Sequence, residues 1–320
     1  MVAGAAEIAT PRRHQSANVV AMCRLFGMSG GREPVQATFW LLEAPDSLAQ
    51  QSRREPDGTG LGWYEGERPV IAKQPLAAYQ DEAFAREARE VTSRTFVAHV
   101  RYASTGAVSP ENTHPFEQRG RLFAHNGVIQ DVDRLDQELG DAKSLVQGET
   151  DSERFFALIT REIERDGEAS GEPSGDIGRA IARAAGWIAD NLPVFALNLI
   201  LINATELWAL RYPDTHELFV LERDAGGPTG QRHLEHASAR GSMRVRSGDL
   251  ASRRAVIVAS EQMDEDAGWR ALSSGELLHV DPDLKVTITR PLDRPPAHQL
   301  TLADLGVKAA ASQAPAGQHS

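Results

Sequence analysis

The chain has 320 residues, with 34 Lys and Arg against 45 Asp and Glu and a formal charge of -11 at pH 7. That acidic balance argues against a protein that tracks phosphate backbones or lies on an anionic membrane surface, and the length suffices for one large core or two ordinary ones. Its one cysteine, Cys23, makes neither an internal disulfide nor a zinc-type Cys pair, the leader before it lacks the apolar core of a signal peptide, and no apolar run reaches membrane-spanning length.

In chain order, "RLFGMSG" after Cys23 reads as a strand ending in glycine, and "GLGWYEGERPVIAKQPL" as a hairpin about a Glu-Gly turn. Phe84, Ala85, Ala88 and Val91 recur at helical spacing between Asp81 and Ser93. A buried strand is predicted from Thr95 to Arg101, and a second from Leu122 to Ile129 running into a turn. Helices follow at Asp151 to Arg165 and Asp176 to Asn191, then paired strands in "VFALNLILINATELWALRY". The stretch from Arg223 to Arg254 reads as a long surface insertion; "AVIVAS", "ELLHVD" and "KVTIT" return to strand character. From Pro295 onward the composition predicts a frayed, flexible tail. Strands, helices and more strands without βαβ alternation imply an α+β fold.

Three stretches carry chemistry. In "AHVRYASTG", His99 and Arg101 alternate with Val100, so two polar side chains share one face of an apolar strand. A guanidinium there needs an anionic partner, either an internal acid or a ligand carboxylate that fits its fork. In "AHNG", Asn126 and Gly127 are by default a tight hairpin turn. An Asn amide beside a glycine N–H is also a pair of neutral donors suited to a developing oxyanion. In "GETDSE", Thr150 and Glu153 match a capping box, and Asp151 is a carboxylate favoured at a helix start that also suits an ammonium group.

"MCRLFGMSG", "HVRYAST", "NTHPF", "AHNG" and "GETDSE", in that order, resemble the class II glutamine amidotransferases, the N-terminal-nucleophile branch, and most closely the stand-alone members without a fused synthetase domain. The resemblance implies a four-layer αββα sandwich over residues 23–294, with no cofactor and no metal. By motif, Cys23 is the nucleophile, Asn126 and Gly127 form the oxyanion hole, Arg101 binds the substrate α-carboxylate and Asp151 its α-amino group. Where many members carry Trp-Ala-Thr after the arginine, this chain has Tyr102, Ala103 and Ser104, so Tyr102 and Ser104 take those places and the resemblance implies Ser104 as a substrate contact.

The family mechanism uses the free α-amine of the cysteine as general base; its reference pKa of ~7.7 to 8.0 leaves a useful fraction neutral near pH 7. Residues 1–22 are therefore expected to be absent from or removed in the mature protein. Met22 directly before Cys23 favours a translation start at Met22, because an initiator Met before a small residue is removable. The leading reading is a cytoplasmic glutamine amidotransferase or glutaminase that releases ammonia to water or to a separate synthetase. The second is a hydrolase of another γ-glutamyl amide, of the kind that degrades glutathione or processes ergothioneine intermediates. The third is a non-catalytic γ-glutamyl-binding or regulatory module whose leader blocks the cysteine. A papain-like Cys-His protease has no local signature.

Overall fold

The computed structural model describes residues 23–53, 58–74, 76–101, 109–170, 175–225, 235–237, 244–246 and 253–313. Its strands run in order β1 (Arg24–Ser29), β2 (Val35–Gln36), β3 (Gly58–Glu65), β4 (Arg68–Gln74), β5 (Thr92–Ser93), β6 (Thr95–Arg101), β7 (Phe116–Gln118), β8 (Arg121–Ile129) and β9 (Pro193–Ile202). They continue with β10 (Leu207–Leu210), β11 (Phe219–Arg223), β12 (Glu235–Ala237), β13 (Arg244–Arg246), β14 (Ala255–Ala259), β15 (Arg270–Ala271), β16 (Leu277–Val280), β17 (Val286–Thr289) and β18 (His298–Gln299). The helices are α1 (Leu48–Gln51), α2 (Glu82–Glu90), α3 (Val132–Leu139), α4 (Asp151–Ser170) and α5 (Ile177–Asn191), with a last short one at Val307–Gln313.

Two large sheets form, ordered β15-β11-β14-β1-β6-β3-β4 and β17-β16-β10-β9-β8-β7. Side-chain alternation on their strands builds the layers. Leu25 of β1, Val97 of β6, Leu122 and Ala124 of β8, and Ile200 and Ile202 of β9 meet between the sheets. Phe26, Met28, Phe96 and Ala98 face the opposite way, under the helical turn Phe39–Glu43 and helices α1 and α2. Phe123, Leu199 and Leu201 face out of the second sheet, under Phe155, Ile159, Ile181 and Ile188 of α4 and α5. The result is helix, sheet, sheet, helix, the αββα sandwich implied by the motifs. Cys23 immediately precedes β1, which lies at the centre of its sheet between β14 and β6.

The expected hairpin is β3 and β4, with Gly66 at φ 65° opening a two-residue loop between the paired Glu65 and Arg68. Glycine at the first central position suits a turn that follows the strand twist. The Asn-Gly turn, in contrast, does not form. Asn126 and Gly127 lie within β8, opposite Asn198 and Leu197 of β9, because Val128 and Ile129 prolong the apolar ladder beyond them. The insertion expected at 223–254 lies mostly outside the described residues; of it, β12 and β13 pair as a small antiparallel ribbon.

The chain beyond Pro295 also departs from expectation. β18 pairs parallel with β9, Leu300 N donates to the Val194 carbonyl at 2.8 Å, and Leu305 is buried against Val128, Phe195 and Ala196. Leu300, Leu302, Leu305, Ala309 and Ala310 together cover the end of β8 and β9, an apolar pattern hidden by the average composition of the segment. Residues 314–320 and the leader 1–22 lie outside the described residues.

Candidate active site

Cys23, Arg101, Asn126, Gly127 and Asp151 line one small cavity between the ends of β1, β6 and β8 and the start of α4. The alternation on β6 that puts Phe96, Ala98 and Val100 under the outer helices sends His99 and Arg101 to the inter-sheet side, and both face this cavity. Arg101 ends β6 opposite Gly58 of β3 and is 4% exposed. Ser104 falls within residues 102–108, outside the described residues.

Asn126 shares the inter-sheet face with Leu122 and Ala124, and its Nδ2 donates to the Cys23 carbonyl at 2.9 Å. One amide N–H therefore holds the cysteine backbone, while the other remains for a ligand. Gly127 is required for a steric reason. A Cβ there would lie 1.8 Å from the Ala196 carbonyl oxygen on β9, inside any allowed contact. Gly127→Ala must part β8 from β9, a backbone shift that costs roughly 1–3 kcal/mol or more. A clear fall in the urea midpoint is expected, and an unchanged midpoint would show that the strands do not approach so closely.

Asp151 opens α4 and ties it to β8. Its Oδ2 accepts from Ile129 N at 2.8 Å and its Oδ1 from Ser152 N at 2.9 Å. Only half of the expected capping box forms: Thr150 Oγ1 accepts from Glu153 N at 3.2 Å, but the Glu153 carboxylate turns to Gln147 N and Gly148 N, at 3.0 and 2.7 Å. Glu153 thereby fixes the loop that leads into Asp151.

Three further side chains at the site carry no role that the sequence alone assigns. His99 and His114 face the cavity with ring centroids 4.3 Å apart, and their ring nitrogens have no hydrogen-bond partner among the described residues. His125 points to the helix side, its Nδ1 2.9 Å from Ser152 Oγ and its Nε2 3.2 Å from the Ala196 carbonyl. Burial, then the positive Arg101, push His99 down to about 3, and burial likewise lowers His114 and His125. His114 is visible in "NTHPF" and His125 in "AHNG", but nothing in those strings distinguishes a cavity wall from a core histidine.

These histidines make the fold acid-sensitive. With folded pKa values below the unfolded value of about 6.5, the unfolded chain binds more protons as pH falls. Stability is therefore lost on going from pH 7 toward 5, above the range in which most carboxylates titrate. The urea midpoint should drop over that interval; a midpoint that stays level would mean that these rings are hydrated or charged in the folded state.

A larger cleft of about 750 Å³ lies between α5 and strands β10, β16 and β17. Its main polar groups satisfy each other, His279 Nε2 lying 3.0 Å from Glu206 Oε1 with Trp208 stacked on the ring, and Cys23 is not part of it.

Residues 22–301 match the model of the class II glutamine amidotransferases. The gamma-glutamyl-hercynylcysteine sulfoxide hydrolase of Mycobacterium tuberculosis is 29% identical over 85% of this chain and 98% of its own length. The probable glutamine amidotransferase DUG3 of Saccharomyces cerevisiae is 25% identical over 81% of this chain and 82% of its own. Among solved structures, the glutamine phosphoribosylpyrophosphate amidotransferase from B. subtilis superposes with a TM-score of 0.57 at 22% identity over 85% of this chain. This chain spans only 50% of that enzyme's length, and the likeness is one of fold. With its motif residues gathered at one cavity and the family model matched along most of its length, the chain belongs to the class II glutamine amidotransferases.

Proposed function

We propose that the protein is an N-terminal cysteine amidohydrolase of γ-glutamyl compounds, with glutamine as the first candidate substrate. The observation that supports this most is the convergence of Cys23, Asn126, Gly127, Arg101 and Asp151 on a single cavity. Arg101 takes the substrate α-carboxylate in a two-point contact and Asp151 takes its α-ammonium, which places the γ-carbonyl at Cys23. Ser104, three residues after Arg101 in the motif, is assigned a further substrate contact through its hydroxyl.

The reaction starts when the free α-amine of Cys23 accepts the thiol proton. The thiolate attacks the γ-carbonyl, and the oxyanion is held by the Asn126 amide and the Gly127 N–H. The C–N bond breaks as the protonated α-amine returns its proton to the leaving amine, giving ammonia from glutamine and a glutamyl thioester. Water then attacks the thioester, releases glutamate and restores the thiol. Ammonia passes to solvent or to a separate synthetase, and the reaction belongs in the cytoplasm, where a single thiol stays reduced.

Since the base is the α-amine, the mature chain begins at Cys23, and initiation at Met22 followed by loss of that Met supplies it. A second reading, a hydrolase of a larger γ-glutamyl compound, is favoured by the relative matched over 98% of its length, which is named for a γ-glutamyl sulfoxide. The same clamp serves both, because it binds the glutamyl half and not the leaving group.

The test is a chain initiated at Met22, shown by intact mass to begin at Cys23, assayed for glutamate release from glutamine, γ-glutamyl dipeptides and γ-glutamyl thioether sulfoxides. Release from at least one member is expected, and the preferred member separates the two readings. No release from any member would return the protein to a binding module, and full activity in a preparation that retains residues 1–22 would remove the α-amine from the mechanism.

A further inference from the structure

One wall of the Cys23 cavity comes from outside every motif. Gln313, 1% exposed, ends the C-terminal helix Val307–Gln313 and lines the cavity together with Cys23, Arg101, Asn126 and Asp151. Its Oε1 accepts a hydrogen bond from His216 Nε2 at 2.7 Å, and its Nε2 donates to Ser312 Oγ at 3.3 Å. His216 is held neutral by burial, with its pKa lowered to about 4, which suits it to donate one N–H to the carboxamide. The end of the protein's own C-terminal helix thus forms a wall of the pocket assigned above to the substrate, with the Gln313 carboxamide tied to His216 and Ser312 behind it.

The space left beside it is about 20 Å³, room for a single water and far less than a γ-glutamyl group requires. Among the described residues, a wall must therefore move before substrate reaches the thiol. Arg101 and Asn126 sit on central strands, and Asp151 heads a 20-residue helix packed into the core. The C-terminal helix is far more weakly held. It has seven residues, too few to be stable alone, and its Ala309 and Ala310 are only partly buried. It is held at its two ends, by Leu305 at the turn before it and by the buried Ser312 and Gln313, while Val307 is 89% exposed. Short terminal segments held at a few points, with the positions between them only partly buried, open at a small fraction of the global unfolding free energy.

We propose that Val307–Gln313 is an autoinhibitory strap that narrows the glutamyl pocket with Gln313 as one wall and withdraws to admit a γ-glutamyl ligand. Apparent substrate affinity is then lowered by the fraction of molecules with the strap in place, so that any partner or condition that loosens it activates the enzyme. The inference rests on the Cys23 cavity being the substrate pocket, and its test reads thiol access without turnover.

Cys23 is the sole cysteine, so its alkylation by iodoacetamide reports only on this cavity. In the chain initiated at Met22, Gln313→Ala cuts back that wall and Leu305→Ala loosens one anchor. Each should raise the alkylation rate by about tenfold or more, because access follows the open population directly. Val307→Ala, at an exposed position of the same helix, should alkylate at the parent rate. Parent-like rates in both test variants, with native near-ultraviolet circular dichroism, would overturn the strap. Hydrogen exchange tests the unaltered protein directly: amides of 307–313 should exchange orders of magnitude faster than those of β9, and equal protection would overturn the proposal. Faster alkylation without hydrolysis of any γ-glutamyl amide keeps the strap and rejects the proposed function; the reverse pattern rejects the strap alone.

Discussion

Arg101→Lys is expected to weaken capture of a γ-glutamyl substrate by on the order of 2 to 5 kcal/mol, the range for truncating a desolvated charge pair. Arg101 is 4% exposed at the end of a central strand, and its neighbour His99 is neutral near pH 7, so the guanidinium is the positive charge that His99 does not supply. A lysine ammonium in its place is a single point charge with three rotatable donors and cannot reproduce two parallel bonds to one carboxylate. The loss should appear chiefly in KM, because the α-carboxylate is bound equally in ground state and transition state. The control is 4-aminobutanamide, which keeps the scissile amide but lacks the α-carboxylate. With that substrate the substitution should cost little, since the partner of Arg101 is already gone. A folded Arg101→Lys variant with unchanged KM for glutamine would assign the guanidinium to an internal ion pair, and an equal loss on both substrates would point to a distorted strand.

How much of this site is legible in the sequence varies from residue to residue, and the reasons are physical. Arg101 and His99 are legible because strand alternation at Val97, His99 and Arg101 fixes a common face whatever the tertiary context. Thr150 and Asp151 are legible as a helix start because capping is local; that Glu153 turns back to Gln147 and Gly148 instead of completing the box depends on how the preceding loop enters the helix. Asn126-Gly127 misleads as a turn because turn statistics take no account of a partner strand. The glycine is there because the Ala196 carbonyl approaches from β9, some seventy residues away in the chain, and no local pattern carries that contact. Gln313 has no signal at all. A glutamine in an Ala- and Ser-rich tail reads as solvated, and only the docking of Leu305 beside Val128 brings it back to Cys23.

Asn126 provides the sharpest separation of chemistry from architecture, because its amide serves the Cys23 carbonyl in the structure and the oxyanion in the proposed reaction. Asn126→Ala removes both donors without adding charge. Loss of one oxyanion donor typically lowers turnover by about 10² to 10³, and that is the expected fall in kcat. Asn126→Asp should fall at least as far, since a carboxylate would face both the Cys23 carbonyl oxygen at 2.9 Å and the negative oxygen that forms during attack. If the amide acted only by holding the Cys23 backbone, its removal would misplace the thiol for every electrophile. Alkylation by iodoacetamide forms no oxyanion and therefore tells the two apart. The oxyanion role requires turnover to collapse while alkylation stays within a few-fold of the parent in the same folded sample. Parallel loss of both activities would confine Asn126 to a positioning role at Cys23, and near-parental turnover in Asn126→Ala would remove it from the reaction.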